Sequence, residues 1–247
     1  MVGYDALLEV AERENGVVGL FLGGSRGKGA LVRPESDYDV YLIARDPDEY
    51  RERFRTRHGD PVEVFVFGLD ELREYAAVGT ETEAYRYTFA HVEPVVDKTG
   101  GELARILEEK GRLPAEAARG MAADSLDAYI NLYYRSAKNA RAGAALASRL
   151  DAAESVPPLL TALFALDERV RPYNKYLEWE LKRFPLPGEA WTAARVLRPL
   201  ERIVATGELA AQQRLFRDVE RLARDRGHAD AVDAWEPDVG FLRGDDS

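Results

Sequence analysis

The sequence predicts an α+β chain: a small mixed β-sheet domain over residues 1–100, then an α-helical bundle over 101–247. Two observations carry this. In the first hundred residues, short apolar runs of strand length alternate with amphipathic stretches. Beyond about residue 100 the strand-like runs stop, and Ala, Leu, Arg and Glu dominate. The hand-over falls between about 98 and 114. Apolar residues make up 46% of the 247 and charged residues 32%, globular proportions that suffice for a buried core.

The elements follow in order. Residues 4–15 fit a helix, with Leu7, Leu8 and Ala11 at helical spacing. Val17 to Leu22 is a strand stopped by Gly23-Gly24, Tyr38 to Ala44 a second, and Val62 to Phe67 a third. Between the last two, Asp46-Pro47 opens a charged stretch that reads as a surface helix and turn. Residues 70–78 predict a short helix. Tyr85, Tyr87 and Phe89 alternate like a strand face and read as core. Val92 to Val96 is a last strand, closed by Asp97-Lys98-Thr99-Gly100-Gly101. Helices are then predicted over 101–110, 115–150, 158–170, 172–183, 189–206 and 208–226. Pro114, Pro157-Pro158, Pro172, Pro185/Pro187 and Gly207 separate them. No internal repeat or low-complexity tract appears.

Composition excludes several classes of function. With 34 basic and 44 acidic residues the formal charge is −10, against the basic footprint of a nucleic-acid binder but compatible with a cationic small substrate. No cysteine is present, which excludes disulfides and thiolate metal sites. Three scattered histidines argue against a His-built zinc site. No apolar run approaches the roughly 20 residues of a membrane span. The first residues lack the basic start and apolar core of a secretory signal. The expectation is a cytoplasmic protein with neither a membrane nor a nucleic acid as partner.

The chemistry concentrates in Gly19 to Ala44, GLFLGGSRGKGALVRPESDYDVYLIA. A strand runs into Gly23-Gly24-Ser25, where small residues let backbone approach a ligand and the next segment starts a helix whose free N–H groups suit phosphate. Arg26 and Lys28 add positive charge. A plain turn has the same composition. Ser36-Asp37-Tyr38-Asp39 then opens the next strand. Residues i and i+2 of a strand share a face, so Asp37 and Asp39 point the same way with Cα atoms roughly 7 Å apart. Two carboxylates so placed repel unless a cation lies between them. The hard cation that takes two carboxylates together with phosphates is Mg²⁺. A turn Asp followed by a solvent-facing strand Asp would read alike. Glu63 lies in Val62-Glu63-Val64-Phe65-Val66-Phe67, apolar on both faces and so central in a sheet, where an acid is costly to bury unpaired. It would complete a three-carboxylate metal set, or else occupy an exposed strand end.

Gly24-Ser25, a spacer of eleven residues, Asp37-x-Asp39 and a later strand acid together resemble the DNA polymerase beta nucleotidyltransferase superfamily. The match covers about residues 17–67 and is closest to the bacterial small-molecule and minimal branches. The rest resembles the family in layout, a small catalytic domain followed by helices as in aminoglycoside nucleotidyltransferases. The third acid, often Asp in the family, is Glu63 here. The resemblance implies an Mg²⁺-dependent transferase with two ions on Asp37, Asp39 and Glu63. Gly24 and Ser25 would hold the β/γ-phosphates of ATP or another nucleoside triphosphate. A nucleotidyl group, AMP by expectation, would pass to a hydroxyl of a small, aminoglycoside-like acceptor with release of pyrophosphate. Many relatives build the acceptor site between subunits, which leaves a homodimer open.

Residues 120–149 are amphipathic. Leu126, Ile130, Tyr133, Ala137, Ala140 and Ala144 lie on one side, and Asp124, Asp127, Asn131, Arg135 and Lys138 on the other. That polar stripe either faces water or offers Lys138 and Arg135 to phosphate. Tyr173 to Leu181 resembles a Lys-x-x-x-acid-Trp element of aminoglycoside adenylyltransferases, which implies Lys175 as a triphosphate contact. By the same analogy Glu83, with Glu81 beside it, is the expected general base. The alternative of another class is an antitoxin-like minimal nucleotidyltransferase that modifies or binds a protein partner. Such chains are usually shorter and lack the helical half.

Overall fold

The computed structural model describes residues 2–245. It is a mixed α and β protein in two compact units that divide between Leu113 and Pro114. The N-terminal unit is built on a four-stranded sheet of order β3-β2-β1-β4. The strands are β1 (Val17–Leu22), β2 (Tyr38–Ala44), β3 (Val62–Phe67) and β4 (Pro94–Asp97). The pairs β1–β2 and β1–β4 are antiparallel and β2–β3 is parallel. The parallel pair needs a crossover, and the charged stretch after Asp46 supplies it as helix α3 (Pro47–Arg53).

Strand alternation divides the apolar residues between the two faces of the sheet. Val17, Leu20, Val40, Leu42, Val62 and Val66 pack with Leu7 and Ala11 of α1 (Tyr4–Arg13) and with Tyr50 and Phe54. Phe21, Tyr41 and Ile43 pack the opposite face against Leu72 of α4 (Leu69–Glu74), Phe89, and Leu103, Ile106 and Leu107 of α5 (Glu102–Lys110). Between the Gly-Gly turn and β2 lies one helical turn, α2 (Gly24–Gly27).

The division at Leu113/Pro114 falls within the expected hand-over of about 98–114, and helix α5 belongs to the sheet's core. Two expectations are corrected. Glu83–Phe89 is a 3-10 helix, not a strand; Tyr87 and Phe89 are buried while Tyr85 is exposed. The predicted helix over 115–150 is two helices, α6 (Ala115–Arg141) and α7 (Ala145–Ala165). Their break is at Gly143, left-handed at φ +73°, and the expected break at Pro157-Pro158 does not occur. Each proline there removes a backbone donor. Buried Leu159, Leu160, Leu163 and Phe164 on the next turns hold the helix through that loss.

The C-terminal unit continues with α8 (Leu177–Arg183), α9 (Ala193–Thr206), α10 (Leu209–Asp225), α11 (Ala229–Asp233) and α12 (Val239–Arg243). Its core joins Leu126, Ile130 and Tyr133 of α6 to Leu160, Leu163, Leu200, Phe216 and Leu242. Among the described residues no helix is long and apolar enough to cross a membrane.

Candidate functional site

The first residues expected to carry the site lie where β1 ends beside the start of β2. The Gly23 N–H donates to the Asp39 carbonyl at 2.8 Å, which locks the Gly-Gly turn to the acidic strand. Gly24 has φ +55°, and a Cβ there would lie 2.0 Å from Asp39 Oδ2. Only glycine permits that conformation and that approach together. Ser25, the next residue, is buried. Asp39 is half-buried and Asp37 exposed.

Arg26 and Lys28, expected to meet phosphate, have other partners. The Arg26 guanidinium donates to the Ser36 carbonyl at 2.7 Å and the Asp37 carbonyl at 3.1 Å, and lies 3.9 Å over the Tyr38 ring. It therefore fixes the backbone that carries Asp37. Lys28 is buried, and its ammonium donates to the carbonyls of Tyr87, at 2.8 Å, Thr88, at 3.2 Å, and Ala90. Three acceptors use all three of its N–H donors. It pins the end of α2 to the 3-10 helix rather than presenting a cation to a ligand. The sequence gives no separate sign of this, since a lysine after a glycine turn reads alike in either role.

Glu63 is the register partner of Asp39 on β3, so both side chains leave the same face of the sheet. Its carboxylate accepts the Gly59 N–H at 2.5 Å and lies 3.1 Å from His58 Nδ1. Among the described residues no three His, Cys, Asp or Glu side chains gather closely enough to hold a metal ion. The expected three-acid cluster is thus not assembled in this arrangement, because the preceding turn engages Glu63. Asp39 lies on β2 beside Gly24, and Asp37 precedes the strand, exposed. Carboxylate oxygens are the donor type that a hard cation such as Mg²⁺ takes.

The other expected residues belong to other parts of the chain. Glu83 accepts the Gly79 N–H at 2.9 Å, and its second oxygen is buried with no hydrogen-bond partner. Glu81 is exposed. Lys138 and Lys175 belong to the helical unit, both exposed, 6.0 Å from the Tyr134 ring and 5.3 Å from the Tyr176 ring respectively. The polar stripe of α6 is partly engaged inside that unit: Asp127 accepts from Trp235 Nε1 at 3.0 Å, and Arg135 pairs with Asp151 at 3.0 Å. Tyr133 is core, and its hydroxyl donates to the Leu242 carbonyl at 2.7 Å.

Electrostatics stiffen the surroundings of the site. Arg86, buried, donates to the carbonyls of Ala76, Glu109 and Arg112, and burial lowers its pKa. Burial, then repulsion by Arg86, lowers the Lys110 pKa to about 8. Both cations sit on carbonyls at helix ends, the electronegative ends of those dipoles. They hold α4, α5 and the 3-10 helix together.

No protein-family profile and no curated protein matches the chain.

Proposed function

We propose that the protein is a nucleotidyltransferase that moves a nucleotidyl group, AMP by preference, from a nucleoside triphosphate to a hydroxyl of a small molecule. The observation that carries this is the Asp39 carboxylate seated against Gly24, in the space where any other residue would place a Cβ. Its support from the sequence is the resemblance of Gly24-Ser25, Asp37-x-Asp39 and Glu63 to the polymerase beta superfamily.

In this reading Asp37 and Asp39 hold Mg²⁺, whose chemistry is the neutralisation of phosphate charge. Glu63, on Asp39's face and register, joins them by a side-chain rotation that releases Gly59 and His58. Gly24 and Ser25 receive the triphosphate. Arg26 orients Asp37 through its carbonyl, and Lys28 holds the loop still. The acceptor oxygen forms a bond to the α-phosphorus, the bond to the β-phosphate oxygen breaks, and pyrophosphate departs. The acceptor proton passes to a carboxylate. Glu83 holds that role, supported by its oxygen without a hydrogen-bond partner.

The test is Mg²⁺-dependent pyrophosphate release from ATP across a panel of aminoglycosides, nucleosides and other hydroxyl compounds. Asp39→Asn, nearly isosteric, should abolish release while leaving the melting temperature within about 2 °C, the shift expected of a ΔΔG well below 1 kcal/mol. Turnover unchanged in that variant would remove the metal assignment. Absence of release with every acceptor, together with no Mg²⁺-dependent nucleotide binding, would remove the enzyme reading.

A further inference from the structure

A groove of about 780 Å³ runs along the free edge of β3, within the range of small-molecule sites. Its apolar lining is Phe54 and the strand residues Val64 to Phe67, and its polar lining includes Arg51, Arg55 and Arg57. We infer that this groove binds a small organic anion, its apolar body along the β3 edge and its carboxylate or phosphate on Arg55 and Arg57. The inference does not depend on nucleotidyl transfer.

Three observations single out this occupant. First, the arginines differ in how far they are engaged. Arg51 pairs with Asp48, at 2.8 Å, and with Glu71. Arg55 has only Glu52, three residues back at 3.1 Å, with both side chains more than three-quarters exposed, a solvated pair of little strength. The Arg57 guanidinium has no hydrogen bond or ion pair among the described residues. Guanidinium groups match carboxylate and phosphate through paired, charge-assisted hydrogen bonds.

Second, the strand edge offers little to an incoming strand. The outward N–H of Val64 donates to Thr56 Oγ1 at 2.9 Å, and the outward carbonyl of Val66 accepts from Arg51 Nε at 3.2 Å. Side chains of the chain itself cap two of the groups that strand addition would need. Third, a second copy docked edge to edge by two-fold symmetry would set arginines against arginines. A positive groove on a chain of net charge −10 instead selects a ligand of opposite sign.

The experiment titrates the full-length protein with phenyl phosphate, phenylacetate and benzylamine, by calorimetry at low salt. The anions should bind and benzylamine should not. The stronger of the two anions assigns the headgroup class, and either ranking supports the proposal. The double variant Arg55→Ala/Arg57→Ala, altered only at exposed side chains, should keep its ligand-free melting curve. It should bind the anions about tenfold or more weakly, the effect of losing a charge-assisted hydrogen bond. Asp39→Asn should bind them as the wild type does, which separates this groove from the nucleotide site. Absence of anion binding, equal binding of benzylamine, undiminished affinity in the double variant, or binding abolished by Asp39→Asn would each overturn the proposal.

Discussion

At the scale of single residues, the decisive contact is between Gly24 and Asp39. Gly24→Ala combines two penalties: a left-handed backbone costs a residue with Cβ about 1–2 kcal/mol, and the new methyl group meets Asp39 Oδ2. Gly29 provides the comparison. Its φ is +59°, with nothing within 4 Å of an added Cβ, so Gly29→Ala carries the backbone cost alone. Gly29→Ala should lose about 1–2 kcal/mol in urea unfolding, and Gly24→Ala more than that. Only Gly24→Ala should also lose pyrophosphate release, because it displaces a carboxylate. Equal activity in the two variants would show that the seat of Asp39 does not matter. This is also the scale at which the sequence informs least about role. It places Gly24, Ser25, Asp37 and Asp39 beside one another on chemistry alone. It cannot distinguish an Arg26 or Lys28 that faces a ligand from one that holds main-chain carbonyls, because both need a cation beside a glycine turn.

At the scale of elements, periodicity succeeded where one force dominates. β1, β2 and β3 have the bounds read from their apolar runs, since a sheet covered on both faces demands such runs. The reading failed where tertiary burial overrode local preference. Pro157-Pro158 sits within a continuous helix, and Tyr85 to Phe89 winds as a 3-10 helix although its aromatics alternate. Nor did the pattern show that Glu63 would turn to its own preceding loop. The link between α4 and α5 yields a pH prediction. Lys110 Nζ donates to the carbonyls of Arg73, at 2.8 Å, and Tyr75, at 2.5 Å, from a buried position. Its folded pKa of about 8 lies below the ordinary 10.5, so between those values the unfolded chain binds more protons. Stability contributed here therefore rises as pH climbs from 8 to 10.5, by about 3 kcal/mol at most. The neutral amine still donates to both carbonyls. Lys110→Met should flatten this slope relative to wild type in urea unfolding series at pH 7.5, 9 and 10.5. Parallel slopes in the two proteins would show that Lys110 is not held charged against its burial.

At the scale of the whole molecule, the apolar clusters do not cross the line between Leu113 and Pro114, so each unit has its own core and its own electrostatic support. In the helical unit that support centres on Glu220. Its carboxylate accepts from Arg243 Nε at 2.8 Å and from Arg224 Nε at 3.0 Å, tying α10 to α12. The Arg243 hydrogen bond, then the one from Arg224, holds its pKa below the ordinary carboxylate value. A carboxylate lowered in this way stabilises the fold above the unfolded pKa, and that contribution is lost as pH falls through the folded one. All three tryptophans, Trp179, Trp191 and Trp235, lie in this unit, so tryptophan fluorescence follows it alone. Glu220→Gln should lower the stability read by fluorescence by about 2 kcal/mol at pH 7, the size of hydrogen bonds to a charged group. At pH 3 the difference should shrink, because below the ordinary carboxylate pKa the unfolded chain takes up a proton that the folded carboxylate resists. Lys110→Met should leave the acid transition seen by tryptophan where it is, since its effect belongs to the other core and to alkaline pH. A Glu220→Gln deficit of the same size at both pH values would mean that shape, not charge, holds α12 in place.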